Sequence, residues 1–273
     1  MVTRELRFEF GANWARFVKA VDEERIVSAE RSLIALLGQD RLDGQTFLDV
    51  GCGSGLSSLA ARRLGAIVTS FDVDSQSVTC AHALRDRYFP NDQAWTIKRG
   101  SILDAAFLRV LPTFDAVYSW GVLHHTGQMW EALKNAAELV SPGGRLVVAV
   151  YNDQGRATRV WRRVKRAYNS LPKPLRFIVL WPAAAWIWGP ATVRDLFVMR
   201  PFSTWQRYRL TRGMSPWRDV VDWVGGYPFE VARPEEVFDY CLSMGFCLTR
   251  LATCAGGFGC NEFAFQRKRP PTK

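Results

Sequence analysis

The chain lacks the marks of export and of membrane insertion. Its first ten residues, MVTRELRFEF, hold no apolar signal stretch, so secretion is not expected. Its longest apolar run, Phe177 to Gly189, is thirteen residues long and is interrupted by Pro182. Crossing a bilayer takes about 20 residues, so no transmembrane helix is expected. Cysteine is sparse, and Cys52, Cys80, Cys241, Cys247, Cys254 and Cys260 contain no CxxC pair. They read as reduced, mostly buried thiols of a cytoplasmic protein rather than as a disulfide framework or a zinc site. The missing CxxxCxxC pattern argues against radical chemistry on an iron–sulfur cluster. No internal repeat or low-complexity stretch is present.

What is present is a globular composition with an uneven charge. The 273 residues are 48% hydrophobic and carry a formal net charge of +10. Residues 151–230 hold 14 Lys and Arg against 5 Asp and Glu, and the rest of the chain holds 22 against 21. The same stretch contains seven of the eleven tryptophans. One segment thus concentrates both charge and aromatic surface, and it is expected to meet a partner or substrate.

The chain is organised around Phe47 to Leu56, FLDVGCGSGL. Phe47 to Val50 fit a short buried strand. Gly51, Cys52, Gly53, Ser54 and Gly55 follow as a turn, and Leu56 to Leu64 reads as a helix. Glycine permits positive φ and close approach of a ligand to the main chain. The helix start offers free N–H groups to an anionic or polar group. The dinucleotide fingerprint wants glycine at the first, third and sixth positions. Here the third glycine comes one residue early, and Asp49 stands two residues before the first. A plain tight turn between strand and helix is the alternative. Ala66 to Phe71 reads as the second strand, ending in Asp72-Val73-Asp74. An acid about 20 residues beyond the glycine turn is placed to accept from ribose hydroxyls. Asp72 fits that role, while Asp74 or Ser75 fits a cap for the next helix.

The DxGxGxG form of Asp49 to Gly55 resembles motif I of class I S-adenosylmethionine-dependent methyltransferases. The resemblance extends over Phe47 to Tyr151, through Ala94 to Lys98 as third strand, FDAVYSWGVLHHTG from Phe114, and LVSPGGRLVVAVY ending at Tyr151. The last two stretches are similar to the ubiquinone and menaquinone methyltransferase branch. It implies S-adenosyl-L-methionine as the cofactor, held by Asp49, Gly51, Cys52, Gly53, Gly55, Asp72, Val73, Ser101, Ile102 and Trp120. Many relatives carry an acid where this chain has Ser101, so a backbone contact at Ile102 is expected there instead. The implied fold is α/β: a Rossmann-like, seven-stranded, mostly parallel sheet with helices on both faces and an antiparallel last strand. A turn at Ser141 to Gly144 is expected to precede a fifth strand at Arg145 to Tyr151.

His124 and His125 follow the fourth strand, where ligands sit in open α/β sheets. Either histidine can accept a proton from an attacking hydroxyl; local packing or a helix cap is the alternative. There is no (D/N)PPY sequence, which nucleic-acid amino methyltransferases carry here, and no acid at the strand end to hold magnesium. No metal is therefore expected. Residues 1–45 read as a helical cap, with Phe10 and Trp14 near the ligand or merely packing on the sheet edge. Residues 46–151 are the cofactor-binding core. Residues 231–268 add a helix and the last two strands.

Residues 152–230 form an insertion after the fifth strand. Arg156 to Leu171 places Val160, Trp161, Val164, Tyr168 and Leu171 on one helical face, with Arg159, Arg162, Arg163 and Arg166 around the rest. Phe177 to Gly189 is apolar on nearly all sides. Three readings stand: a lid over an apolar acceptor pocket, an interfacial segment on anionic lipid through residues 156–189, or an RNA surface. The long apolar run disfavours nucleic acid. Tyr151, Asn152, Tyr227, Glu230 and Glu262 are polar candidates for acceptor contact. The expected function is methyl transfer to a small, lipophilic or glycan-like acceptor, with oxygen favoured. An RNA methyltransferase and a noncatalytic, cofactor-binding membrane-interface subunit are the alternatives. The sequence carries no mark of oligomeric state.

Overall fold

The computed structural model describes residues 20–206, 216–257 and 259–269, together with Trp14, Phe17 and Val18. Phe10 lies outside the described residues. The strands are β1 (Thr46–Val50), β2 (Ile67–Asp72), β3 (Trp95–Arg99), β4 (Phe114–Trp120), β5 (Val140–Tyr151), β6 (Phe246–Ala252) and β7 (Cys260–Arg267). They form one seven-stranded sheet in the order β3-β2-β1-β4-β5-β7-β6. The strands β1 to β5 pair in parallel, and β7 runs antiparallel to both β5 and β6. The expected Rossmann-like sheet with a reversed last strand is therefore the observed one. The strand order reverses between β1 and β4, and such a switch point opens a crevice at the carboxyl ends of the strands.

Alternation along the strands splits the core in two, because successive side chains point to opposite faces. Leu48, Val50, Val117, Leu146 and Val148 pack on one face with α5 (Met129–Glu138) and α9 (Pro234–Ser243). Phe47, Val68, Ala116, Tyr118 and Val147 pack on the other with α1 (Glu23–Leu37), α2 (Leu56–Arg63) and α3 (Ser75–Tyr88). A short α4 (Ala105–Arg109) follows β3. Helix ends obey local rules. Gly38, at φ 64°, closes α1, and its N–H bonds the Ile34 carbonyl. Asp74 opens α3 by accepting from the Gln76 N–H.

The Ser141 to Gly144 turn does not precede β5; it bulges out of it. Val140 pairs with Phe114 and Arg145 with Ala116, so the partner strand advances two residues while β5 advances five. Gly144 is required there: a Cβ would stand 2.9 Å from the Asp115 and Ser141 carbonyl oxygens.

Residues 155–229 gather into a compact unit of their own, separate from the unit that holds the sheet. Its helices are α6 (Arg156–Ser170), α7 (Phe177–Phe197) and α8 (Pro216–Gly225). The face of α6 differs from its sequence pattern. Val160 is exposed, whereas Lys165 is fully buried. The Lys165 ammonium donates to the Trp223 carbonyl and lies 4.1 Å and 4.6 Å from the centres of the Trp223 and Phe229 rings. One turn on, Asn169 donates to the Gly225 carbonyl. The two side chains satisfy carbonyls at the end of α8 that the helix itself leaves open. Burial pulls the Lys165 pKa down to about 7, while the carbonyl and the two ring faces hold the charge in place. The apolar run likewise outlasts its expected end at Gly189: α7 continues through Pro182 and Pro190 to Phe197. No helix among the described residues is long and apolar enough to cross a membrane.

Candidate active site

The glycine turn lies at the carboxyl end of β1, beside the switch point. Gly51, Gly53 and Gly55 all have positive φ, at 72°, 54° and 83°, a region that other residues occupy only under strain. Close approach adds a second constraint at two of them. A Cβ on Gly51 would fall 2.4 Å from a Val122 methyl, and one on Gly55 would fall 3.0 Å from Ala81. The turn is tied to β2 by the Gly51 and Cys52 N–H groups, which both donate to the Phe71 carbonyl at 2.9 and 3.0 Å.

Asp72 closes this frame from the end of β2. One carboxylate oxygen accepts from the Gly53 N–H at 3.0 Å and the other from the Asp74 N–H at 2.9 Å. Bonds to both oxygens fix the plane of the carboxylate. Val73, next to it, is exposed. The Trp14 indole completes the wall: a Cβ on Gly53 would stand 3.1 Å from it. The Asp72 carboxylate and the Trp14 indole thus close on Gly53, at a position where a side chain would meet the indole. These residues fit a nucleoside-bearing ligand with polar and hydroxyl groups.

Asp49 occupies a different position. It is 3% exposed, beneath the turn, and accepts from the Ser58 hydroxyl at 2.5 Å. Burial, reinforced by the negative charge of Asp72, pushes its carboxyl up to about 7 despite that hydrogen bond. Cys52 is buried, and burial raises its thiol well above the usual range, so it packs rather than reacts. After β3, the Ser101 hydroxyl accepts from the Leu103 N–H. Ile102 is 4% exposed, in the core, and its carbonyl accepts from Asn135.

The loop after β4 turns at Gly121, at φ 74°, and makes one short 3₁₀ turn, Leu123–His125. His124 is fully buried. Its ring lies 3.9 Å from that of Tyr151 and 4.4 Å from that of His125. His125 is half-buried and meets Tyr151 edge-on at 5.5 Å. The structure therefore brings both histidines and Tyr151 into one aromatic cluster at the ends of β4 and β5. Only His125 and Tyr151 of the three reach its surface. Glu230 braces the cluster from behind. Its N–H donates to the His124 carbonyl, and its carboxylate accepts from the Met129 N–H at the start of α5.

Trp120, Glu262 and Asn152 are joined to neighbouring strands. The Trp120 indole donates to Glu262 at 2.9 Å, across Ala149, which pairs with both. Asn152 accepts from Asn261 at 3.0 Å, so its side chain is held structurally. Tyr227 belongs to the unit of residues 155–229 and is half-buried there. Among the described residues no cluster of three or more His, Cys, Asp or Glu is placed to hold a metal ion. The partners of Asp49 and Asp72, a hydroxyl nine residues on and a turn amide nineteen residues back, gave no signal in the sequence beyond their spacing.

Comparison with known proteins agrees with this geometry. The profile of a family described as "Methyltransferase domain" matches residues 48–146. A ubiquinone biosynthesis O-methyltransferase of Coxiella burnetii is 35% identical over 139 residues, 50% of this chain and 56% of the relative. Another, from Caulobacter sp. strain K31, is 31% identical over 121 residues, 42% of this chain and 44% of the relative. The chain thus spans about half the length of the curated relatives it matches. Among solved structures, magnesium protoporphyrin IX methyltransferase from Synechocystis PCC 6803 with bound SAH superposes with a TM-score of 0.58. The alignment covers 98% of this chain and 99% of that one at 14% identity, a likeness of fold. The likeness is thus to methyltransferases, in sequence over residues 48–146 and in fold along the chain.

Proposed function

We propose that the protein binds S-adenosylmethionine at the glycine turn and moves its methyl group to a small, lipophilic or glycan-like acceptor, with oxygen as the favoured methylated atom. The observation that carries the reading is the frame around Gly53: turn amide, Asp72 carboxylate and Trp14 indole on one side-chain-free position. The cofactor supplies an electrophilic methyl on a sulfonium centre. The chain's own work is then alignment and exclusion of water, and positioning alone can supply about 7–11 kcal/mol of a barrier. Asp72 takes the ribose hydroxyls, and the turn amides hold the turn itself in place through the Phe71 carbonyl and the Asp72 carboxylate. On this reading His125, half-buried at the end of β4, takes the proton that an acceptor hydroxyl loses.

The curated relatives are named for O-methylation in ubiquinone biosynthesis, which supports a small acceptor and an oxygen atom. Nucleic acid is disfavoured by the long apolar stretch of α7. Peripheral membrane contact through residues 156–189, from the cytoplasmic side, belongs to the same reading. It is supported by exposed Phe177, Ile178, Trp181 and Trp186 and by exposed Arg159, Arg162, Arg163 and Arg166 on α6.

The test is to incubate the pure protein with donor carrying a labelled methyl group and a fractionated cell extract. Label in lipid or aqueous small-molecule fractions is the expected result. Label in RNA overturns the acceptor class, and donor binding without label anywhere favours a noncatalytic role. Two further results are expected. Asp72→Ala weakens donor binding by about 1.5–3 kcal/mol, the loss of a charge-assisted hydrogen bond. Asp72→Asn, which keeps one acceptor oxygen for the Gly53 N–H, loses less; calorimetry with unchanged affinity in both variants removes Asp72 from the site. Prior treatment with EDTA leaves turnover unchanged, because the strand end that holds magnesium in catechol-type enzymes carries Trp120 here; inactivation reversed by magnesium would show otherwise.

A further inference from the structure

A surface helix normally turns a polar face to water; α7 does not. Its outward positions recur every four residues: Phe177, Trp181 and Ala185 in one row, continued past half-buried Gly189 by Val193, and Ile178, Pro182, Trp186 and Pro190 in the next, all exposed but Gly189. The only charged residues in the helix are Arg194 and Asp195, and Asp195 is buried. Twenty-one residues at 1.5 Å each give an apolar ridge about 30 Å long.

The ridge ends in a built turn. The Asp195 carboxylate accepts from the Thr204 N–H at 2.7 Å and from its hydroxyl at 2.6 Å, and the Asp195 carbonyl accepts from the Arg200 N–H. This clamp holds the chain between them in a tight loop in which Met199 and Phe202 take positive φ, 54° and 62°. A bulky side chain there is strained. The loop does not hide the residues it strains. Phe197 is 85% exposed, Met199 87% and Phe202 55%. Arg194, Arg200, Asp195 and Thr204 line an open pocket of about 400 Å³ beside them. Both Asp195 oxygens are engaged by Thr204, and Arg194 also donates to Thr204.

Charge decides what covers this surface. Residues 155–206 contain ten Lys and Arg and one acid, the buried Asp195. A second copy would bring the same positive charge against itself. An anionic bilayer offers the opposite sign at its surface and hydrocarbon beneath it, which suits apolar side chains flanked by Arg194 and Arg200.

We propose that the turn after α7 is a wedge that inserts Phe197, Met199 and Phe202 into an anionic lipid surface, with Arg194 and Arg200 at the level of the phosphates. This deepens the membrane-contact part of the proposed function and rests on it. It adds a point of insertion outside residues 156–189.

The experiment is flotation of the full chain with phosphatidylcholine vesicles, with and without about one-third phosphatidylglycerol. The protein is expected on the anionic vesicles only. The double variant Phe197→Ser/Met199→Ser is expected to bind at least about tenfold more weakly, and Phe197→Leu/Met199→Leu to bind as the wild type does. Both side chains project into solvent, so the fold is not at stake; donor binding by the variants checks it. Arg200→Glu should lose the preference for anionic lipid. If the wild type binds and the serine variant binds equally well, the wedge is wrong while contact through residues 156–189 stands. If the wild type ignores both vesicles, wedge and membrane contact fall together, and methyl transfer is judged by labelling. A vesicle-free dimer that the serine variant dissolves assigns the ridge to a second copy. Capture of RNA in place of vesicles assigns it to nucleic acid. Either result overturns the proposal.

Discussion

Asp49→Asn is expected to flatten the pH dependence of stability and to stabilise the sheet-containing unit by about 4 kcal/mol at pH 8. In the folded chain the carboxyl titrates near 7 instead of 3.8. Between those values the folded state keeps a proton that the unfolded chain releases. Stability changes with pH as the unfolded minus the folded proton count, which is negative here, so it falls as pH rises from about 4 to about 7 and is level above. About three pKa units at 1.36 kcal/mol each give the 4 kcal/mol. Asp49 is 3% exposed, so solvent does not screen the effect away. Asparagine keeps an oxygen for the Ser58 hydroxyl but carries no charge. Thermal unfolding of both proteins from pH 5 to pH 8 reads the difference. Parallel curves would mean that Asp49 is solvated or neutralised in a way that its hydrogen bonding to Ser58 does not provide.

The same residue shows where the sequence stops being legible. The glycine turn was readable because its rules act within ten residues: strand alternation in Phe47 to Val50, then positions that only glycine occupies comfortably. The sheet was readable for a related reason. Short apolar runs such as FDAVYSW alternate between two faces that are both buried, and runs of that kind belong to a parallel sheet under helices. What Asp49 does depends on Ser58, which the next helix turns back toward it. Lys165 is a stronger case. On an arginine-rich helix a lysine reads as solvated, and nothing local marks it otherwise. Its burial follows from a carbonyl and two rings that arrive 58 residues later. The Ser141 to Gly144 segment misled in the opposite direction. Its turn chemistry is genuine, but the β4 ladder resumes on the far side, so the turn became a bulge within β5. In each instance local propensity was right and the partner from elsewhere in the chain decided its use.

His125→Ala is expected to lower the turnover number by about 10²–10⁴, the usual range for a lost general base, with donor affinity within about twofold of the wild type. Of the two adjacent histidines, His124 is fully buried against Tyr151 and cannot meet an acceptor without the loop opening. His125 is half-buried, and the rings of His124 at 4.4 Å and Tyr151 at 5.5 Å fix its plane. On the proposed reading His125 takes the proton, while His124 positions it through packing. The division has separable consequences. Loss of the His125 imidazole should appear in the turnover number more than in the Michaelis constant of the acceptor, and free imidazole should restore part of the rate. His124→Ala removes a ring from a filled space, so it should lower thermal stability together with turnover, and imidazole should not repair it. Undiminished turnover in His125→Ala would remove the residue from the reaction. An amine or thiol acceptor, whose proton needs less help to leave, would then be the better reading of the same pocket.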